Sequence, residues 1–252
     1  MALTSLDLEH TELLGTTLLE IGLEKIDAAP PGANLYAGVW SSERVELARR
    51  CALVGVRYVS CPPVYPEFLP LFGRHQNQNA SLAMHIAMSL TGLEGEILEP
   101  RFAQTRWPGR LELIEREPLV VIDVGHTPAG VRTALDGFQE MRAARRGVLV
   151  CGVSRDKKAA ELIAILAPAF DVIICASAAH KGAPAAEIAA LANAANPTAE
   201  LTIAESVADA RRLALAKAKS AETAIYVAGS LFLAVEFKAL HVGRDPASLA
   251  FF

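Results

Sequence analysis

A chain of 252 residues accommodates one large domain or two small ones, and an apolar share of 52% lets it bury a substantial core. A net charge of −4 and the lack of a basic stripe speak against nucleic-acid binding, and no apolar stretch nears the ~20 residues that a membrane span needs. Four scattered cysteines (Cys51, Cys61, Cys151, Cys175) form no CxxC pair, which argues against zinc and disulfides and points to a reducing, cytoplasmic setting.

The N-terminus, "MALTSLDLEHTELLG", has early acids and no long apolar core, unlike a secretory leader. "SLDLEHTELLGTTLLEIGLEKI" reads as a turn followed by a helix, "PPGANLYAGVW" as a loop entering a strand, "SERVELARRCALVG" as an amphipathic helix and "VRYVSC" as a short strand. "CPPVYPEFLP" holds four prolines in ten residues and must be irregular. "GRHQNQNASLAMHIAMSLTGL" opens another helix, with Asn77 to Asn79 near its first turn. These strands are too few for a sheet that covers itself, so this half reads as the later part of a domain. Periodicity lapses around "LEGEILEPRFAQTRWPGR", which puts the expected boundary at 94/95, between domains 1–94 and 95–252.

The second half is regular. "PLVVIDV", "GVLVCGV", "DVIICAS", "ELTIAES" and "AIYVAGS" read as strands that are apolar on both faces. Helical stretches separate them, and a last helix starts near Leu231. Alternation of this kind predicts an α/β fold with a Rossmann-like parallel sheet.

The chemistry collects at strand ends. Thr127 followed by Pro128 is a helix start, which puts His126 at a helix N-terminus just past a strand's carboxyl end, where ligands bind in open α/β sheets. Asp123 there either contacts a ligand or caps the turn, and His126 either lines a site or satisfies backbone groups. Arg106 and Arg110 in "TRWPGRLELI" offer forked guanidinium groups suited to phosphate or carboxylate, or are solvated surface residues. Ser230 is a helix cap or a ligand contact. Four strand-end segments, Asp123/His126, Ser154/Asp156, Ser177 to Lys181 and Ser230, converge on one rim, as expected of a binding site. No P-loop, dinucleotide fingerprint, nucleophile elbow or metalloprotease spacing occurs anywhere.

Several ordered segments give the chain its likeness: "LDLEHTELLG", "IGLEKIDAAPPG", "GRHQNQNASLA", "WPGRLELI", "VIDVGHTPAG", "GVSRDK" and "VAGSLFLA". In this order and spacing the chain resembles the folylpolyglutamate and dihydrofolate synthases of the Mur ligase superfamily, over the later part of their length. The resemblance implies a truncated central α/β domain followed by a Rossmann-like C-terminal domain. It also implies ATP-dependent addition of glutamate to folate or dihydropteroate through an acyl phosphate, with ATP and Mg2+. By position, it makes His10 a magnesium ligand and Lys25 the lysine carbamylated in the family. Asn79 and Arg110 become nucleotide contacts, Asp123 a ribose contact, and His126 and Ser230 residues of the glutamate cleft. Thr127 stands where the family has asparagine, "AHKGAP" replaces an Arg-Ala turn, and the P-loop is missing. The expectation is therefore a ligase portion that needs a P-loop partner or a missing N-terminal half. The alternatives are a binding protein that has dropped the chemistry, or an assembly role such as a homo-oligomer.

Overall fold

The computed structural model describes residues 1–6, 8, 11–38, 43–218 and 222–249. They divide into two units, Met1–Pro70 with Arg74–Arg106, and Leu71–Gly73 with Trp107–Phe252. Residues 95–106, beyond the boundary expected from the sequence, lie with the first unit.

The first unit contains β1 (Ala2–Leu3), α1 (Thr11–Leu14), α2 (Leu18–Asp27), β2 (Asn34–Ala37), α3 (Arg44–Leu53), β3 (Arg57–Ser60), α4 (Arg74–Thr91) and α5 (Gly95–Phe102). Its strands form a parallel sheet in the order β1-β2-β3. Helix α2 starts on a full capping box: the Glu20 N–H donates to Thr17 Oγ1 at 3.2 Å, and Glu20 Oε2 accepts the Thr17 N–H at 3.0 Å. Ile26, Leu35, Leu47, Cys51 and Val56 form the core. The proline-rich stretch contains neither helix nor strand, as its composition demands.

The second unit contains β4 (Glu112–Glu115), β5 (Leu119–Ile122), α6 (Pro128–Arg142), β6 (Arg146–Cys151), α7 (Ala159–Leu166), β7 (Val172–Cys175), α8 (Ala185–Ala195), β8 (Glu200–Ile203), α9 (Val207–Lys217), β9 (Thr223–Ala228) and α10 (Leu231–His241). The sheet runs β4-β5-β9-β6-β7-β8, with β4 antiparallel and the rest parallel. Strand side chains alternate between two buried faces. Val121, Leu149, Ile173 and Tyr226 pack with Val131, Leu135 and Phe138 of α6 and with α7 and α8. Val120, Val150, Ile174 and Val227 pack with Val207 and Ala210 of α9 and Leu233 and Phe237 of α10. Helices on both faces explain the unbroken apolar strands.

This layering creates the topological break on which a site depends. The chain leaves β5 and β6 toward the α6–α8 face, but leaves β9, which lies between them, toward the α10 face. The connections therefore diverge on both sides of the carboxyl end of β9, and such a divergence opens a crevice.

Under α6 the rings of Phe138 and Tyr226 stack at 4.4 Å, with Phe170 5.8 Å from Phe138. Among the described residues the fully buried Tyr226 hydroxyl has no hydrogen-bond partner. A buried hydroxyl without a partner costs about 1–3 kcal/mol. Tyr226→Phe is therefore expected to leave stability unchanged or raise it by about 1 kcal/mol, read from urea denaturation midpoints.

Candidate functional site

Strand β5 ends in a carboxylate that is already engaged. Asp123 is 4% exposed. Its Oδ2 accepts the Leu111 N–H at 3.0 Å, and its Oδ1 accepts the Gly125 N–H at 2.7 Å. Burial pushes its carboxyl above the usual range, against the pull of these two N–H groups and of the nearby Arg110 and His126 charges. The ribose contact expected of Asp123 meets an obstacle here, since little surface is open and both oxygens serve the backbone. No local pattern signals this, because one donor lies twelve residues upstream.

The Leu111 bond secures the turn that presents Arg110. Both neighbours of Arg110 have positive φ, Gly109 at 77° and Leu111 at 42°. A side chain on Gly109 would approach Val124 Cγ1 to 2.7 Å, so only glycine fits. Leu111 is 1% exposed in the α6 core, and α6 makes room for it at Gly137, where a Cβ would stand 2.4 Å from Leu111 Cδ1. A leucine held in this region is strained, and burial with the Asp123 bond holds it there. Arg110 itself is partly exposed. Arg106, the other arginine of this stretch, belongs to the first unit and donates to the Thr105 carbonyl at 3.0 Å.

His126 is exposed, with Nδ1 3.2 Å from the Val124 carbonyl oxygen. Thr127 caps α6: its Oγ1 accepts the Gly130 N–H at 3.2 Å. Arg110, Asp123 and His126 are thus gathered at one end of β5.

Across the crevice, Ser230 starts α10 but does not cap it with its side chain. Its hydroxyl lies 3.0 Å from that of Ser154, and both residues are buried, Ser230 at 2% exposure. As with Asp123, a substrate contact by Ser230 competes with a partner inside the protein. Next to it Gly229 (φ 98°) lies against the Gly152 carbonyl, which a Cβ would meet at 2.8 Å. The loops after β6 and β7 are tied together: the Arg155 N–H donates to Lys181 O and Arg155 Nε to Gly182 O, both at 2.9 Å.

In the first unit, Lys25 is half-buried on α2. Asn79 lies in the second turn of α4, exposed, 3.5 Å from Gln76 Oε1. His10, the expected magnesium ligand, lies outside the described residues. Among the described residues no group of three or more His, Cys, Asp or Glu side chains converges as a metal site. No helix among them is long and apolar enough to cross a membrane.

Residues 109–231 match the family described as Mur ligase, glutamate ligase domain. This stretch is similar to the glutamate ligase domain of the Mur ligases. The match begins at the Gly109 turn and ends just past Ser230, so it spans the crevice from one wall to the other. Over 97% of its length the chain is 28% identical to the dihydrofolate synthase/folylpolyglutamate synthase of Mycobacterium tuberculosis, spanning 60% of that protein. It is 27% identical over 93% of its length to the probable bifunctional folylpolyglutamate synthase/dihydropteroate synthase of Halobacterium salinarum, spanning 32% of it. The chain therefore covers between a third and three fifths of these relatives. The fold of the M. tuberculosis folylpolyglutamate synthase solved with ADP and AMPPCP is similar, with a TM-score of 0.74 at 24% identity over 97% of this chain and 63% of that one. That of E. coli FolC solved with DHPP and ADP gives 0.76 at 22% identity, over 97% and 62%.

The raised carboxyl of Asp123 has a measurable consequence. A carboxylic acid that holds its proton more tightly when folded stabilises the fold at low pH and loses that stabilisation as the pH rises through its folded value. The stability of the natural chain minus that of Asp123→Asn is expected to fall as the pH climbs from the ordinary aspartate value through Asp123's higher one, then level off. Urea titrations at stepped pH give this difference directly.

Proposed function

We propose that the chain supplies the nucleotide- and glutamate-facing rim of an ADP-forming ligase that adds glutamate to folate or dihydropteroate, acting with a P-loop domain that this sequence does not contain. One observation carries the reading. Arg110, Asp123 and His126 gather at the switch-point end of β5, inside the stretch that matches the Mur ligase glutamate ligase domain. The ADP, DHPP and AMPPCP named for the similar folds, and the Mn and L-glutamate named for another, are the ligand chemistry this rim would meet.

In this reading ATP serves to activate the substrate carboxylate as an acyl phosphate, which the glutamate amine then displaces. The chain's own contribution is positioning and charge. Arg110, partly exposed on a fixed turn, fits a phosphate: its guanidinium neutralises negative charge without reorganising. His126, exposed at the end of the same strand, would orient the glutamate. Asp123 serves by holding the Arg110 turn. Asn79 is accessible for a nucleotide contact within its own unit. For magnesium the described residues show no converging donor set, so no step is assigned to His10 or to a carbamylated Lys25.

A second reading has its own support. Thr127 spends its hydroxyl on the α6 cap and Ser230 spends its own on Ser154, leaving fewer groups for chemistry. It describes a protein that binds nucleotide, folate or glutamate without turnover. Mixing the chain with a P-loop half and following folate- and glutamate-dependent ADP release separates the two. The ligase reading expects release, with Arg110→Ala slowing it by about a hundredfold. Saturable binding with no release in any pairing favours the second.

A further inference from the structure

The Arg110 turn is clamped from two sides, and only one clamp is Asp123. Glu112, the first residue of β4, accepts the Gly109 N–H through Oε2 at 2.7 Å. Its other oxygen, Oε1, takes a hydrogen bond from Lys238 Nζ of α10 at 2.6 Å. Both side chains of this pair are largely shielded, at 33% and 25% exposure. One turn further along α10, His241 Nε2 lies 3.0 Å from Glu115 Oε2, so the helix grips β4 at two points. The Val124 N–H donates to Gly109 O at 2.8 Å and completes the anchorage. Arg110 therefore sits between two residues of left-handed backbone, each pinned through its own N–H by a different carboxylate.

We infer that Glu112 and Lys238 are positioning residues for Arg110: the Lys238–Glu112 pair fixes the turn so that the guanidinium meets an anionic ligand, a nucleoside di- or triphosphate, in a set orientation. The inference rests on the reading of Arg110 as a phosphate contact and extends it to two residues remote from the ligand. A guanidinium recognises phosphate through fork geometry, so its anchorage matters as much as its charge. The pair also links α10, which starts at Ser230 in the crevice, to the wall formed by the Arg110 turn.

Simple electrostatics and positioning predict opposite signs. Removing an acid beside an arginine strengthens anion binding if only charge counts. Positioning predicts that it weakens binding. In ADP titrations of the full chain, Glu112→Ala is expected to weaken the affinity about fivefold or more, and to change nothing further when Arg110→Ala is already present. Lys238→Met is expected to follow in the same direction, and Lys238→Arg to restore affinity. Backbone amide exchange gives a readout independent of ligand: in Glu112→Ala the Gly109 N–H is expected to exchange about tenfold faster, with amides of β6 and β9 unchanged. If Glu112→Ala does not fold, Lys238→Met carries both measurements. Tighter or unchanged ADP binding in Glu112→Ala, an equal loss in the Arg110→Ala background, or an unchanged Gly109 exchange rate overturns the inference. Equal ADP affinity, or equal lack of it, in the natural chain and Arg110→Ala overturns the underlying reading of Arg110 instead, while the exchange rates still decide whether the clamp exists.

Discussion

One buried carboxylate joins the parts of this molecule that bear on its chemistry. Asp123 ends β5 and accepts N–H groups from both directions along the chain, Leu111 before the hairpin and Gly125 after the strand. A buried carboxylate is costly unless it is bonded, so its two oxygens make these backbone positions obligatory partners. Leu111 is thereby held in a conformation it would not otherwise adopt, and Arg110 is held beside it. Without this joint β4 would still be an edge strand, but the Arg110 turn would lose one of its two carboxylate clamps.

The joint works because of where the sheet puts it. Four parallel strands buried on both faces, β5, β9, β6 and β7, form the base, with β8 half-exposed at the edge, and β9 is threaded between β5 and β6 with its helix on the opposite face. Asp123, His126, Ser154 and Ser230 each follow the carboxyl end of one of these buried strands. The glycines there allow close approach: Gly152 could carry a Cβ only by meeting the Ala176 carbonyl at 2.3 Å, and Gly229 faces Gly152. The rim is therefore packed backbone against backbone, and side chains such as Ser154 and Ser230 meet inside it rather than in solvent.

These details explain what was legible in the sequence. Four of the five parallel strands were visible because burial on both faces leaves apolar runs without interruption, while β8, half-exposed at the edge, is not buried on both faces as its sequence suggested. The α6 start was visible in Thr127-Pro128, and the hydroxyl does cap the helix. Strand β4 was not: its four residues, two of them glutamates, are half-buried at the sheet edge, so neither alternation nor an apolar run marks it. Helix α5 was hidden by an internal proline, Pro100, and by its lack of buried residues. At the site, the grouping of Asp123 and His126 could be anticipated from a strand end, and Arg110 joined them only through the family resemblance. The occupation of Asp123 and Ser230 by internal partners could not, since those partners lie 12 and 76 residues away. Nor could the bonds of Glu112 to the Gly109 N–H and to Lys238, the latter 126 residues away. A retrospective signal exists in the glycine three residues before Glu112.

In the proposed ligase the crevice around the carboxyl end of β9, walled by the Arg110 turn, receives an anionic nucleotide. The most direct test is to titrate ADP into the isotopically labelled chain and map the amide shifts residue by residue. The account predicts that the largest shifts fall on Gly109–Leu111, Gly125–His126, Ser154 and Gly229–Ser230, while the far edge at β8 stays still. Saturable shifts clustered at β8 or within the first unit alone, or no shifts at any ADP concentration, would contradict it.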